Sequence, residues 1–324
     1  METRPLGWTD MRFSTICLGT WAIAGSGWEF AWGAQDDEVS IATIRHAVER
    51  GINCIDTAAV YGFGHSEEVV GRALKGLAQK PYVATKCSRV RGKDGRVASD
   101  LSRESLRSEL EASLRRLGVE TIDFYQMHWP KPEEYIEEAW ETIAGFVKEG
   151  KVRYAGVSNF SVEQMKRIQP IHPIASLQPP YSMFLRGIES DILPYCAANN
   201  IGVIVYSPMQ KGLLSGRFTE ERATNLAEDD HRKRDPMFQQ PRLGINLQAV
   251  EKLRVIAERR GESVGRLAID WVLRRSEVTS AIVGARSPQQ VDENLSAPGI
   301  ALSNEDVLEI ECILADREES LRDI

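Results

Sequence analysis

Short runs of apolar and β-branched residues recur along the chain, and a longer segment with helical periodicity lies between most neighbours. The strand candidates are Ser14 to Gly19, Ile52 to Thr57, Tyr82 to Lys86, Ile122 to His128, Val152 to Ser158, Ile174 to Gln178, Val203 to Ser207 and Ser280 to Gly284. Strands joined through helices run parallel, because a parallel pair needs a long crossover. Eight such units close most naturally into a (β/α)8 TIM barrel rather than an open sheet.

The segments between strands carry their own signals. Leu106, Leu110, Leu114 and Leu117 share a helix face, and Gly118 after them suits a left-handed cap. Ser161-Val-Glu-Gln164 and Ser287-Pro-Gln-Gln290 both predict capping boxes, the second with Pro at the first helical position. An N-terminal hairpin is expected over Arg4 to Phe13, turning near Thr9-Asp10, and an extra C-terminal helix over Ser303 to about Asp316. A polar loop at about 211–244 interrupts the rhythm, followed by helices near 245–260 and 264–275. At 324 residues, one barrel domain over 1–324 accounts for the chain.

Composition narrows the function. A net charge of −7 supplies no positive field for a phosphate backbone, so nucleic acid is not an expected partner. Cys17, Cys54, Cys87, Cys196 and Cys312 are far apart and form no CxxC pair, so they read as reduced thiols rather than metal ligands. The N-terminus lacks an apolar signal core, and no apolar run approaches the roughly 20 residues that span a membrane. A cytoplasmic protein with no membrane partner and no metal is expected.

Active sites of such barrels form at the C-terminal ends of the strands. Those ends hold Gly19-Thr20-Trp21, Asp56, Lys86, His128, Ser158-Asn159, Gln178, Tyr206-Ser207 and Gly284-Ala285-Arg286. Asp56 and Lys86 are expected to pair, since a charge at the end of a buried strand is costly to desolvate alone. Tyr61 follows shortly after Asp56. A neighbouring ammonium favours phenolate, so Lys86 is expected to lower the Tyr61 pKa and make it a proton relay, with His128 bonding the reacting oxygen. No GxSxG elbow, zinc spacing or activated cysteine offers another chemistry. Gly62-Phe-Gly64 is followed by Glu67 where a third glycine belongs, which removes the Rossmann alternative.

Gly51-Ile-Asn-Cys-Ile-Asp-Thr-Ala58, Tyr61-Gly62 and Ser66-Glu-Glu resemble the aldo-keto reductase signature. Ala84-Thr-Lys86, Gln126-Met-His-Trp-Pro130, Gly156-Val-Ser-Asn-Phe160, Leu177-Gln178, Tyr206-Ser-Pro208 and Ile282-Val-Gly-Ala-Arg286 extend the likeness in the family's order, over about residues 4 to 317. Within the family the chain looks most like bacterial members that also resemble potassium-channel β subunits. The resemblance implies a catalytic tetrad of Asp56, Tyr61, Lys86 and His128, with Tyr61 as general acid/base. It implies that Ser158, Asn159 and Gln178 bond the nicotinamide carboxamide, that Tyr206 stacks on the ring, and that Gly19, Thr20, Trp21 and Asp56 line the same end. Further cofactor contacts are implied at Ser207, Pro208, Gly212, Leu213 and Gly284, with Arg286 and Ser287 on the 2′-phosphate and Gln290 and Asn294 near the adenine. A helix opening at Ser287-Pro288 also attracts an anion through its free N–H groups. NADPH/NADP+ is therefore the expected cofactor, with NADH less favoured.

The substrate implied is a small carbonyl or alcohol compound contacting Trp21, Tyr61, His128 and Trp129. The function expected is NADPH-dependent reduction of aldehydes or ketones, or oxidation of the corresponding alcohols or sugars. The alternative is an NADPH-sensing regulatory or binding subunit with slow turnover. Trp28, Phe30 and Trp32 either pack their own loop or line the substrate site. Arg89, Arg91, Lys93 and Arg96, and the run Glu228 to Asp235, read as solvated loops.

Overall fold

A computed structural model describes residues 1–295 and 301–322. An antiparallel hairpin of β1 (Thr3–Pro5) and β2 (Arg12–Ser14) precedes the barrel. The barrel strands begin with β3 (Ile16–Gly19), β4 (Cys54–Asp56) and β5 (Tyr82–Cys87). A second hairpin, β6 (Arg89–Arg91) with β7 (Val97–Ser99), follows β5. Then come β8 (Ile122–Met127), β9 (Val152–Ser158), β10 (Ser176–Gln178), β11 (Gly202–Tyr206) and β12 (Val278–Gly284). Among the described residues eight parallel strands close in sequence order, β12 returning to β3, so the fold is a (β/α)8 barrel.

The outer ring starts with α1 (Asp37–Glu49), α2 (His65–Leu74), α3 (Arg103–Leu117), α4 (Ile136–Lys148), α5 (Val162–Ile168) and α6 (Ile192–Ala198). It continues with the short α7 (Glu220–Thr224), α8 (Arg242–Arg259), α9 (Val264–Leu273), α10 (Pro288–Leu295) and α11 (Asn304–Arg322). The expected extra C-terminal helix is α11, which packs on α8. Helix ends follow local chemistry: Ser161 and Gln164 form the reciprocal capping box at α5, and Gly118 closes α3 with φ 67°. The second predicted box differs. Ser287 Oγ accepts the Gln290 N–H, but Gln290 Oε1 reaches past Ser287 to the Arg286 N–H at 2.8 Å. Strands β4 and β10 start two residues later than expected, because Ile52 N–H is taken by Ala47 O in the turn that enters β4, and Ala175 N–H by Ala155 O ahead of β10.

Side chains alternate across each strand. Cys17, Cys54, Ala84, Phe124 and Ile204 face inward, while Leu18, Ile55, Val83, Tyr125 and Val205 join the core between barrel and helices. Leu6, Met11 and Phe13 of the first hairpin join that inward group and fill the N-terminal end of the barrel. Burying such side chains contributes about 1.5–3 kcal/mol each.

Candidate active site

One pleat beyond the inward apolar layer, the same alternation turns Gly19, Asp56, Lys86, Gln126, Ser158, Gln178 and Tyr206 toward the C-terminal mouth, and the register sets Gly19 beside Asp56, Lys86 beside Gln126 and Ser158 beside Gln178. The Lys86 ammonium has three donors and finds three acceptors: Asp56 Oδ1 at 2.6 Å, Thr57 O at 2.9 Å and Tyr61 OH at 3.4 Å. The second Asp56 oxygen accepts from Gln178 Nε2 at 2.8 Å and from Gln126 Nε2 at 3.5 Å. The expected Asp56–Lys86 pair is thus present, and buried.

Tyr61 is delivered by a tight reversal. Gly62 has φ 60°, and a Cβ there would lie 2.4 Å from Ala24 O, so only glycine allows this turn. The phenol ring then lies with Lys86 Nζ 5.0 Å from its centroid and the His128 ring at 5.9 Å, edge to face. Sequence reasoning expects Lys86 to lower the Tyr61 pKa. The net shift is upward: burial raises it and outweighs the ammonium, so Tyr61 remains a phenol through neutral pH. For Lys86, burial opposes the charge, but Asp56 and Tyr61 more than offset it and the pKa lies above its usual value. Burial, helped by Lys86 and Arg89, holds His128 well below the usual imidazole range, so it is neutral. Its Nδ1 is buried and has no partner among the described residues.

These groups open into a cavity of about 470 Å³ that runs across the mouth. Of the residues singled out by sequence, Gly19, Trp21, Asp56, Tyr61, His128, Trp129, Ser158, Asn159, Gln178, Tyr206, Ser207, Pro208, Gly212, Gly284, Arg286, Gln290 and Asn294 line it. Lys86 lies behind Tyr61. Thr20, Leu213 and Ser287 are not on the wall: Thr20 is fully buried with its hydroxyl on Asp56 O, Leu213 is core, and Ser287 is spent on the α10 cap. Asn159 and Ser207 hold left-handed backbone with φ 63° and 56°, strain typical of functional loops. Asn159 is fixed by His128 O and by the Tyr206 hydroxyl, and Ser158 Oγ by Gln178 O.

The structure corrects two readings of the charged loops. Arg232, in the run expected to be solvated, is buried, doubly bonded to Asp230 and packed 4.6 Å from the Trp32 ring, and it lines the cavity with Arg222 and Arg286. Burial first, and then the charge of Arg232, lower the pKa values of Arg222 and Arg286. In the hairpin β6–β7, Arg89 also turns into the cavity. No local sequence signal separates an inward arginine from its solvated neighbours. Lys211, Arg217, Phe218 and Ser263 are further wall residues that the sequence reading missed; the first three lie in the long irregular connection, and Ser263 caps α9.

Trp28, Phe30 and Trp32 do both things considered for them. They line the cavity and pack their loop, with Trp28 6.3 Å from Tyr61 and Trp32 5.3 Å from Trp21. Arg286 clasps this loop: its Nε donates to Gln35 Oε1 at 2.7 Å, its terminal nitrogens to the Trp32 and Ala34 carbonyls, and Gln35 Nε2 returns a bond to Arg286 O at 3.0 Å. Among the described residues no helix is long and apolar enough to cross a membrane.

Residues 15–315 match the Aldo/keto reductase family. The chain is 41% identical over 317 residues to the aldo-keto reductase YhdN of Bacillus subtilis, covering 97% of this chain and 94% of that one. It is 36% identical to an NADH-specific methylglyoxal reductase of Escherichia coli, covering 94% and 96%. Among solved structures, a glycerol dehydrogenase from Gluconobacter oxydans superposes with TM-score 0.88 at 42% identity, covering 97% and 95%.

Proposed function

The chain belongs to the aldo/keto reductase family, oxidoreductases that act on carbonyl or alcohol groups with a nicotinamide cofactor, and from that premise we propose that it is an NADPH-dependent carbonyl reductase with Tyr61 as proton donor. The observation that carries this reading is the Lys86–Tyr61 contact. Lys86 donates into the phenol oxygen, so the phenol's own hydrogen is free for a ligand in the cavity, and burial keeps that hydrogen in place at neutral pH. When bound, the nicotinamide supplies the hydride that, with this proton, converts a carbonyl into an alcohol. In the oxidative direction Tyr61 accepts the proton instead. Neutral His128 bonds the substrate oxygen without adding charge, and Asp56 keeps Lys86 ionised.

The cavity suits an extended dinucleotide. Gly19 leaves its floor without a side chain, Ser158, Asn159 and Gln178 present amide and hydroxyl groups beside His128, and Tyr206 offers a ring face. Ser207, Pro208 and Gly212 continue the wall toward Arg222, Arg232 and Arg286, which suit phosphates, while Gln290 and Asn294 border the far end. Arg286 has no carboxylate partner among the described residues and stands just before α10, which favours a 2′-phosphate. One relative is named as NADH-specific, so this preference is read from Arg286 and not from kinship. Trp21, Tyr61, His128 and Trp129 would face the substrate. The test is a steady-state screen of aldehydes, ketones and sugars with both cofactors; cofactor binding without turnover on any of them would refute the enzyme reading in favour of a binding subunit.

A further inference from the structure

The cavity wall carries arginines in two places. In one, Arg222, Arg232 and Arg286 act on one another. Arg89 stands apart from them, close enough to His128 to disfavour its protonated form. Its position is built by the backbone: Ser88, which precedes it, has φ 76° and donates its N–H to Glu109 Oε1 at 3.2 Å, and its hydroxyl meets the Trp129 backbone.

The environment of Arg89 is unusual for an arginine. It is half-buried and lines the cavity whose wall also carries Trp28, Phe30, Val97 and Trp129. A guanidinium has five N–H donors, and among the described residues only one is used, by Ser99 Oγ at 2.6 Å. It makes no ion pair there. Glu29 is the carboxylate that acts on it, but Glu29 is engaged by the Val97 N–H at 3.1 Å. Arg89 also borders a second cavity lined by Asp100, Glu104 and Glu109, and among the described residues it pairs with none of them. A partly desolvated cation with a single hydrogen bond and no ion pair is under-satisfied in the folded chain alone, and it gains when an anion arrives.

We propose that Arg89 is a specificity-determining residue that receives an anionic oxygen group, carboxylate or phosphate, carried by the carbonyl substrate. This rests on the carbonyl-reductase reading above and deepens it. The planar fork of the guanidinium grips either group through paired hydrogen bonds, while the aromatic wall covers the carbon chain. The carbonyl of such a substrate is directed toward Tyr61 and His128.

The experiment compares matched pairs on wild-type protein: succinic semialdehyde against butanal for carboxylate, and glyceraldehyde 3-phosphate against glyceraldehyde for phosphate. In at least one pair the anionic member is expected to have a kcat/KM at least about tenfold higher, carried by KM, which is the minimum for one charge-assisted bidentate contact. The pair that responds identifies the group. In Arg89→Leu that ratio should collapse toward one. Binding read without turnover, by tryptophan fluorescence on cofactor-free protein, should show succinate quenching more strongly than succinamide in the wild type, or glycerol 3-phosphate more strongly than glycerol. Ratios near one in both wild-type pairs overturn the inference even if the variant fails to fold, and so does a preference that Arg89→Leu retains. Failure to reduce any of the four compounds, or any other carbonyl compound, overturns the reductase reading instead.

Discussion

Lys86 Nζ lies 3.4 Å from the Tyr61 phenol oxygen, with its remaining hydrogens committed to Asp56 and to the Thr57 carbonyl. An ammonium so placed stabilises phenolate as it forms, without creating it beforehand. Tyr61→Phe should therefore lower turnover by at least about two orders of magnitude, while cofactor affinity, followed by fluorescence titration, is retained. Because burial raises the Tyr61 pKa above its ordinary 10.0, wild-type reduction should also be independent of pH through the neutral range. A rate that already falls between neutrality and pH 10 would show that the proton comes from another group.

Removing Asp56 strands a charge. Lys86 is fully buried, and Asp56→Ala leaves its ammonium with only two neutral acceptors. Breaking one side of a buried pair costs about 3–5 kcal/mol, which urea denaturation should record as a lower midpoint. An unchanged midpoint would mean that water or a rotamer change compensates.

Arg286→Ala should weaken NADPH binding by about tenfold or more, and NADH binding much less, since a charge-assisted phosphate contact is worth roughly 1.5–3 kcal/mol. Fluorescence titration with both nucleotides checks this. Equal weakening would place the 2′-phosphate elsewhere.

Glu109 gives a stability prediction with a defined sign. Burial raises its pKa from 4.5 to about 8. Within that window the unfolded chain has lost the proton and the folded chain keeps it, so the wild type loses stability as pH rises from 4.5 to about 8, and this loss is complete above it. Glu109→Gln removes the titration. Its stability relative to wild type should therefore increase across the window, as chemical denaturation at both ends would show; a parallel pH dependence would assign the ionisation to another residue.

The barrel was legible because parallel strands carry their signal locally: eight apolar runs, each followed by a polar strand end, specify both the closed sheet and the side of it where Asp56, Lys86, His128 and Gln178 meet. The direction of the Tyr61 shift was not legible, since a neighbouring lysine can be inferred from register whereas the degree to which the phenol is buried depends on Trp21 and Trp28 from another loop. The same holds for Arg89 and Arg232. Both sit in charge runs whose usual fate is solvent, and contacts far along the chain turn one member of each inward, as when His231 joins Ala31 beside the Arg232–Asp230 pair. Capping at α10 failed by one residue because Gln290 had a choice of two adjacent N–H groups.

The clasp between Arg286 and the segment from Trp32 to Gln35 joins two selections that are usually treated as separate. The arginine proposed to choose between nucleotides also anchors the loop whose Trp28 and Phe30 line the same cavity. If Arg286 selects the nucleotide as proposed, cofactor preference and substrate range are coupled through this clasp. On that assignment, exchanging the residue at position 286 to alter cofactor choice should also alter substrate range through the loop it anchors.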